Sequence, residues 1–208
     1  PRLRREIEAW ARSLGAGTPM AMVVLGDIVY PVGLHPAEME SRRVTDSLRL
    51  ASQIEVVSGP GAEKAGVRGV FLPGNHDWGQ EEDWAGAVRL VRLQDFLQSW
   101  EGNASGRLIL SPEPGTGGPG VIDLGNQLRV VMLDTGWWLL GADPEEKKIV
   151  LDSLRKVMGE AESRNLVVAA HHPLQTGGPH GMAAELGESL GVRSLLKRAG
   201  ILLQDLDS

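Results

Sequence analysis

An apolar run passes directly into a polar turn in the stretch Val70-Phe71-Leu72-Pro73-Gly74-Asn75-His76-Asp77-Trp78. An apolar run that is closed by Pro-Gly is typical of a strand that ends in a turn. Asn75, His76 and Asp77 are therefore predicted to lie at the edge of a sheet. In open α/β sheets, ligands bind at the edge formed by the carboxyl ends of the strands.

Two further apolar runs end in polar residues in the same way. Residues 20–25 are followed by Gly26-Asp27, with Tyr30 shortly after, and residues 166–170 are followed by His171-His172. Continuous apolar runs are typical of strands that are covered on both faces. A carboxylate, an amide and imidazoles are thus predicted to converge at one edge of the sheet. The chain has no cysteine, and these are the ligands that a divalent metal takes where thiolate is absent.

Each of these residues also has a purely structural interpretation. Asp27 could cap the segment that follows it, and Asn75 could be a turn residue with a left-handed backbone. His76 and Asp77 could form a hydrogen-bonded surface pair, and Tyr30 could be a half-buried aromatic residue with a solvated hydroxyl. A metal site accounts for all of them together, because each falls at the end of a predicted strand.

His171 and His172 cannot both serve the same site if the strand continues through them. Successive side chains of a strand point to opposite faces of the sheet. One of the two histidines is therefore predicted to be structural.

The whole chain alternates between helical and extended patterns. Helices are predicted over residues 4–13, 37–57, 83–100, 144–161 and 190–199. Strands are predicted over residues 20–25, 67–72, 107–110, 121–124, 128–133, 166–170 and 200–203. Residues 58–66 are predicted to form turns. This alternation predicts an α/β domain with covered sheets, and 208 residues suit a single domain.

The helical patterns also predict which side chains face the core. The first helix has apolar residues at helical spacing, namely Leu3, Ile7, Trp10, Ala11 and Leu14. The helix over residues 144–161 begins with proline and two glutamates, as helices commonly do. Its predicted core residues are Ile149, Leu151, Leu154 and Val157.

Composition argues against several classes of partner. A net charge of -6 argues against a surface built for nucleic-acid backbones. The cluster of Arg2, Arg4, Arg5 and Arg12 is interpreted as the solvated side of the first helix. No apolar run reaches the length of about 20 residues that a membrane span needs. The chain begins with Pro1 and shows no signal peptide, which leaves the compartment open, including secretion or the periplasm.

The ordered set of motifs resembles the calcineurin-like metallophosphoesterases. The motifs are Gly26-Asp27, Gly74-Asn75-His76-Asp77, Ala170-His171-His172-Pro173 and His180-Gly181. Tyr30, where the wider superfamily has aspartate or asparagine, and the interval from His171 to His180 are similar to the purple acid phosphatase branch. The resemblance extends from about Met20 to the end of the chain.

The resemblance implies a fold and a chain longer than the present one. The fold is a four-layer sandwich of two mixed β-sheets flanked by helices, as a single domain over residues 1–208. The alternation of elements fits a single doubly wound sheet equally well. The family also has an aspartate motif that would precede residue 1 and a Gly-His-x-His motif that would follow residue 208. We therefore expect the chain to be truncated at both ends.

The resemblance also implies a dinuclear metal centre. Asp27 would bridge the two ions, and Tyr30 would bind one of them as a phenolate. Asn75 and His171 would bind the other. The ions implied are Fe(III) together with Zn, Mn or Fe(II).

Further residues have roles in catalysis or structure by the same resemblance. His76 would bind the phosphate, Asp77 would orient His76, and His180 would donate a proton to the leaving group. His172 would not be a ligand. Asp134, at the end of another predicted strand, is interpreted as structural.

The function implied is hydrolysis of phosphoric esters, foremost phosphomonoesters of small molecules, by an activated water. A nucleotide or nucleic-acid phosphodiesterase of the same superfamily and a non-catalytic interaction module are the alternatives. The oligomeric state is left open. Four tryptophans near the predicted site could stack on a substrate ring or pack in the core, namely Trp78, Trp84, Trp137 and Trp138.

Overall fold

The computed structural model describes residues 2–15, 17–79, 86–103, 105–161 and 163–173. The predicted helix over residues 190–199 and the predicted strand over residues 200–203 lie outside these ranges. The helices are α1 (Arg2–Leu14), α2 (Glu40–Val57), α3 (Pro60–Lys64), α4 (Ala87–Ser99), α5 (Thr135–Leu139) and α6 (Pro144–Gly159). The strands are β1 (Ala21–Leu25), β2 (Arg68–Leu72), β3 (Leu108–Leu110), β4 (Gly120–Leu124), β5 (Leu128–Leu133) and β6 (Asn165–Ala170). None of these helices has both the length and the apolar composition needed to cross a membrane.

The strands form two separate three-stranded sheets. The first has the order β1-β2-β3, and all its strands are parallel. The second has the order β4-β5-β6, in which β4 is antiparallel to β5 and β5 is parallel to β6. The predicted α/β class is confirmed. A single doubly wound sheet is wrong, because β3 and β4, which are consecutive in the chain, belong to different sheets.

One hydrophobic cluster is shared by the two sheets. Val70 and Leu72 of β2 pack there with Val130 and Met132 of β5 and with Ala169 of β6. These residues lie at alternate positions of their strands, as one face of a pleated strand requires. The facing sides of the two sheets therefore form one core.

The opposite sides of both sheets are covered by helices. Phe71 of β2 belongs to a second cluster, with Leu50 of α2 and Leu90 of α4. Val131 of β5 packs in a third cluster with Leu154 of α6. Strands β2 and β5 are therefore buried on both faces, which explains why their sequences are continuous apolar runs.

The buried side of α6 differs from the prediction at two neighbouring residues, Ile149 and Val150. Asp143 caps the helix by accepting from the backbone N–H of Glu145 at 2.8 Å. Val150 and Leu154 are the buried residues of the helix, whereas Ile149 is 65% exposed. At 100° per residue, Ile149 lies about 140° around the helix from Leu154. The prediction that Ile149 faces the core is wrong for this reason.

The apolar face predicted for α1 is only partly buried. Ile7 and Ala11 are buried, but Trp10 is 56% exposed, and Leu3 and Leu14 are exposed as well. The helix contacts α2 and α3. Packing against those two helices buries Ile7 and Ala11, which are four residues apart on one side of the helix. The other apolar residues of the predicted face stay exposed to solvent.

Two short helices were not predicted from the sequence. Helix α3 begins with Pro60, within residues 58–66, where turns were predicted. Proline suits the first position of a helix as well as a turn. Helix α5 follows Asp134, which was interpreted only as a strand end. Both helices have five residues, too few for a helical period to be visible in the sequence.

Candidate metal centre

The ends of strands from both sheets meet closely at Gly26, Gly74 and His171. A Cβ atom added to Gly26 would collide with Nδ1 of His171. One added to Gly74 would collide with the carboxylate of Asp27 and lie 3.0 Å from Cε1 of His171. Glycine is required at both positions because no side chain fits between these chain segments. The predicted convergence of the Asp27 and His171 strand ends is therefore present.

Asp27 and His171 are arranged as two ligands of one ion would be. Nε2 of His171 lies 3.4 Å from Oδ1 of Asp27. Nδ1 of His171 is 2.7 Å from the carbonyl oxygen of Leu25, which can only accept, so Nδ1 carries a proton. In the neutral ring, Nε2 then directs its lone pair toward Asp27, as in histidines whose other nitrogen is held by a backbone carbonyl. Two ligands at metal-bond distance from one ion are about 3 to 3.5 Å apart, which matches this pair.

His76 lies on the other side of the same carboxylate. Its backbone N–H donates to Oδ1 of Asp27 at 3.2 Å, and its Nε2 lies 4.0 Å from Oδ2. Its Nδ1 donates to the carbonyl oxygen of Pro31 at 2.6 Å. The ring of Tyr30 lies over the imidazole, with centroids 3.9 Å apart. The imidazole is thus held in one orientation beside Asp27.

Asp77 is buried beneath the site and binds the backbone. Its carboxylate accepts from the N–H groups of Ile28 at 3.1 Å, Val29 at 2.9 Å and Gly74 at 2.9 Å. Burial raises the pKa of Asp77 above its usual value, and the three hydrogen bonds partly offset this. The prediction that Asp77 orients His76 needs correction, because the Asp77 carboxylate binds backbone N–H groups and the Pro31 carbonyl orients the His76 ring.

This arrangement explains the backbone conformation of Asp27. In the described part of the chain, Asp27 is the only non-glycine residue with a positive φ, at 52°. Such a left-handed conformation is unfavourable for residues with a side chain and persists where the surroundings impose it. Asp77 binds the two residues that follow Asp27, Ile28 and Val29, and so stabilises the turn.

His172 is hydrogen-bonded to Thr135 of α5. The hydroxyl of Thr135 lies 2.7 Å from Nδ1 of His172 and accepts from its backbone N–H at 3.1 Å. His171 therefore lies beside Asp27, whereas His172 contacts α5, and the prediction that only one of them serves the site stays a prediction.

Asp134 is structural, as predicted. It caps α5 by accepting from the N–H of Trp137 at 3.1 Å, and it accepts from Nε1 of Trp78 at 2.9 Å. Burial raises the pKa of Asp134 to about 7. Trp78 connects this carboxylate to Asp77, its neighbour in the chain.

Three of the four tryptophans near the predicted site lie within the described ranges and pack in the core. Trp78, Trp137 and Trp138 are buried, and Trp137 meets Trp138 edge-on at 5.3 Å. Packing is therefore the correct interpretation for these three residues. Trp84 lies outside the described residues.

The remaining predicted site residues are Asn75, Tyr30 and His180. Asn75 lies in the turn between Gly74 and His76, and its amide makes no hydrogen bond to any residue in the described ranges. Tyr30 is 54% exposed, and its role as a metal ligand stays a prediction. His180, the predicted proton donor, lies outside the described residues.

The donor atoms fit a borderline divalent or trivalent metal. Among the described residues, no three histidine or acidic side chains form a ready-made metal cluster. The predicted set contains only two residues of those types, Asp27 and His171, together with an amide and a phenol. Carboxylate oxygen and imidazole nitrogen are ligands common to zinc, manganese and iron.

No protein-family model matches the chain, and no curated protein is significantly similar to it. Assignment of a function therefore depends on the arrangement of side chains at the strand ends.

Sequence reasoning missed the groups that orient the two imidazoles at the site. These groups are the backbone carbonyls of Leu25 and Pro31, and a carbonyl has no signal in the sequence. It also assigned no role to the buried pair of His35 and Asp46. The two residues are 11 positions apart, and nothing in that spacing indicates contact.

Proposed function

We propose that this chain is a metal-dependent phosphoric-ester hydrolase that acts on phosphomonoesters. The main support for the proposal is the pair of Asp27 and His171. Nε2 of His171 lies 3.4 Å from Oδ1 of Asp27, and the Leu25 carbonyl oxygen holds the imidazole in this orientation. This pair lies where strand ends of both sheets meet, with a second oriented imidazole beside it. The ordered motifs that resemble purple acid phosphatases supply the reaction class.

The proposed centre has Asp27 and His171 as metal ligands, with Asn75 and Tyr30 as the further ligands that the resemblance implies. Metal ions bound there would supply Lewis acidity and lower the pKa of a bound water, so that hydroxide is available as a nucleophile. In this proposal Asp77 keeps Asp27 in position through the backbone of Ile28 and Val29.

His76 is proposed to bind the phosphate. The Pro31 carbonyl fixes Nδ1 as a donor, so the other nitrogen is presented on the side of Asp27. The ring of Tyr30 covers one face of the imidazole and limits its rotation. When Nε2 is protonated as well, a histidine so positioned donates to the phosphate oxygens and stabilises the charge that develops on them, which contributes about a hundredfold or more to the rate.

The four-layer metallophosphoesterase sandwich is part of this proposal. Three hydrophobic clusters support it, one shared by the two sheets and one between each sheet and its helices. The mixed strand directions of the second sheet agree with it, whereas the described strands of the first sheet are all parallel.

The proposal is tested by metal analysis and by hydrolysis of p-nitrophenyl phosphate with zinc, manganese or iron. We expect Asp27→Asn to lower kcat/KM by about a hundredfold or more, because a neutral amide is a poor bridging ligand. The matched control is Asp152→Asn, which removes an exposed carboxylate on α6 and should leave kcat/KM unchanged. Full activity in Asp27→Asn, or no activity in the wild type with any of these metals, would refute the proposal.

Two further measurements test whether Tyr30 is a metal ligand and whether the substrate is a phosphomonoester or a phosphodiester. Loss of a visible charge-transfer band in Tyr30→Phe is expected if Tyr30 binds Fe(III), and an unchanged spectrum would remove that role alone. Faster hydrolysis of bis(p-nitrophenyl) phosphate than of the monoester would favour the phosphodiesterase alternative.

A further inference from the structure

A cavity adjoins the candidate metal centre. Its volume is about 560 Å³, within the range of small-molecule sites. Its lining includes Pro31, His35, Arg42, Thr45, Asp46 and Arg49. The Pro31 carbonyl is the group that orients His76, at 2.6 Å from Nδ1. One imidazole ring therefore separates Asp27 from a residue in the cavity wall.

A buried histidine with one unpaired nitrogen lines this cavity. Nδ1 and the backbone N–H of His35 both donate to Oδ2 of Asp46, at 2.7 Å and 3.1 Å. His35 is 7% exposed and Asp46 is 3% exposed. Nε2 of His35 has no hydrogen-bond partner among the residues that the structure describes. Nε2 is open to the cavity and not buried, so it is available for a hydrogen bond to a ligand there.

The imidazole of His35 attaches the segment between β1 and α2 to α2 through its Nδ1, which donates to Asp46, and the backbone of His35 adds two further contacts. The backbone N–H of His35 binds Asp46, and Nη1 of Arg43 donates to the carbonyl oxygen of His35 at 2.9 Å. Both contacts use the backbone of residue 35 and would form with any side chain there. Nε2 takes no part in these contacts, so it is the atom of the His35 ring that a ligand in the cavity could bind.

The cavity wall is positively charged. Arg42 and Arg49 contribute two guanidinium groups against the single carboxylate of Asp46. Arg49 donates to the Tyr30 carbonyl and lies 4.0 Å from Oδ1 of Asp46. The guanidinium of Arg42 makes no ion pair or hydrogen bond within the described ranges. In a chain with a net charge of -6, this local excess of positive charge favours an anionic ligand.

We propose that this cavity is an oxyanion subsite, which holds a second anionic group of the phosphate ester whose reacting phosphate lies at the metal centre. The proposal rests on the proposed function. Arg42 and Arg49 bind the oxyanion through charge-assisted hydrogen bonds. Nε2 of His35 accepts from a P–OH group, or donates to the anion when the ring carries a second proton. The substrate class is thus a phosphate ester with a further phosphate or carboxylate.

Binding of inorganic phosphate tests the subsite without activity. The full chain is treated with a chelator to remove metal and is titrated with phosphate in a calorimeter. Arg42→Gln is expected to weaken binding about tenfold, the effect of losing one charge-assisted hydrogen bond. Arg12→Gln removes the same charge from the exposed end of α1 and should bind as the wild type does. No binding by the wild type at millimolar phosphate, or an equal loss in both variants, would overturn the subsite.

Steady-state kinetics identify the second anionic group. The substrates are phenyl phosphate, 4-carboxyphenyl phosphate and hydroquinone bisphosphate. Arg42→Gln should raise KM about tenfold for one or both of the latter two, at unchanged kcat, and leave phenyl phosphate unaffected. The compound affected distinguishes a carboxylate from a phosphate. Equal changes for all three substrates would contradict the proposal.

The two tests separate failure of the subsite from failure of the proposed function. A wild type that binds phosphate in the Arg42-dependent way but hydrolyses none of the three esters would contradict the hydrolase and support the anion site.

Discussion

At the scale of single residues, Asp77 has the largest structural role in the candidate site. Its two oxygens accept from three backbone N–H groups on the loops after β1 and β2. An asparagine has one acceptor oxygen and would face these donors with its own NH₂ group. We expect Asp77→Asn to lower the free energy of unfolding by about 2 to 4 kcal/mol. Urea denaturation measures this change.

The control for Asp77→Asn is the exposed carboxylate of Asp152. Its pair with Arg155 is solvated on both sides, so Asp152→Asn should change the free energy of unfolding by less than about 0.5 kcal/mol. An Asp77→Asn protein as stable as Asp152→Asn would show that the backbone hydrogen bonds are dispensable.

Asp134 predicts a pH dependence of stability. Its pKa is raised from 3.8 to about 7 by burial, so between these values the folded chain holds a proton that the unfolded chain has lost. Stability from this group is present below about pH 4 and is lost as the pH rises toward about 7, with a slope of up to about 1.4 kcal/mol per pH unit. Asparagine cannot titrate, so Asp134→Asn should lack this component.

Urea denaturation of both proteins between pH 4 and pH 7.5 checks the Asp134 prediction. The difference in the free energy of unfolding between the wild type and Asp134→Asn should shift steadily against the wild type as the pH rises. Parallel pH profiles would mean that Asp134 is ionised in the folded chain at acid pH.

At the scale of secondary-structure elements, the close approach of strand ends predicts a strict requirement for glycine. A Cβ atom at Gly74 would collide with the Asp27 carboxylate, so Gly74→Ala should weaken metal binding by about tenfold or more. Gly159→Ala is the matched control, since a Cβ at the end of α6 meets no atom within 4 Å. Competition with a chromogenic chelator measures both affinities. Equal affinities for the two variants would contradict the proposed position of the metal.

Most elements could be predicted from the sequence, and the exceptions have physical reasons. Strands β2 and β5 were predicted because burial on both faces leaves a continuous apolar run. Helices α3 and α5 were not, because five residues are stabilised by caps and packing and not by a periodic face. Whether Ile149 or its neighbour Val150 is buried depends on which side of α6 contacts the sheet. The helical periodicity of the sequence does not distinguish between these two residues.

Considered as a whole, the fold should be stabilised by metal binding, because the proposed ligands Asp27 and His171 follow strands of different sheets. A metal at a hundred times its Kd adds about 2.7 kcal/mol, which corresponds to a rise in Tm of about 5 to 10 °C for a domain of this size. His171→Gln should abolish this rise. His172→Gln should retain it, since His172 is hydrogen-bonded to Thr135 of α5 and is not one of the proposed ligands.

Thermal melts with and without manganese or zinc measure the effect of the metal. Each variant is compared with and without metal, so a change in its intrinsic stability does not affect the metal-dependent rise in Tm. A metal-dependent rise of the same size in His171→Gln would exclude His171 as a ligand.

The α/β class, most elements and the polar residues at three strand ends could be predicted from local sequence patterns. This was possible because burial selects apolar runs and because the polar residues that end them are local in the chain. Tertiary structure alone decided that β3 and β4 belong to different sheets, that Asp77 binds backbone and not His76, and that His35 meets Asp46 in a cavity wall. These features depend on contacts between residues 11 to 49 positions apart and on the path of the backbone between sheets. No local sequence pattern indicates a partner that is distant in the chain or the position of a backbone carbonyl oxygen. These contacts form only when the chain packs into its tertiary structure.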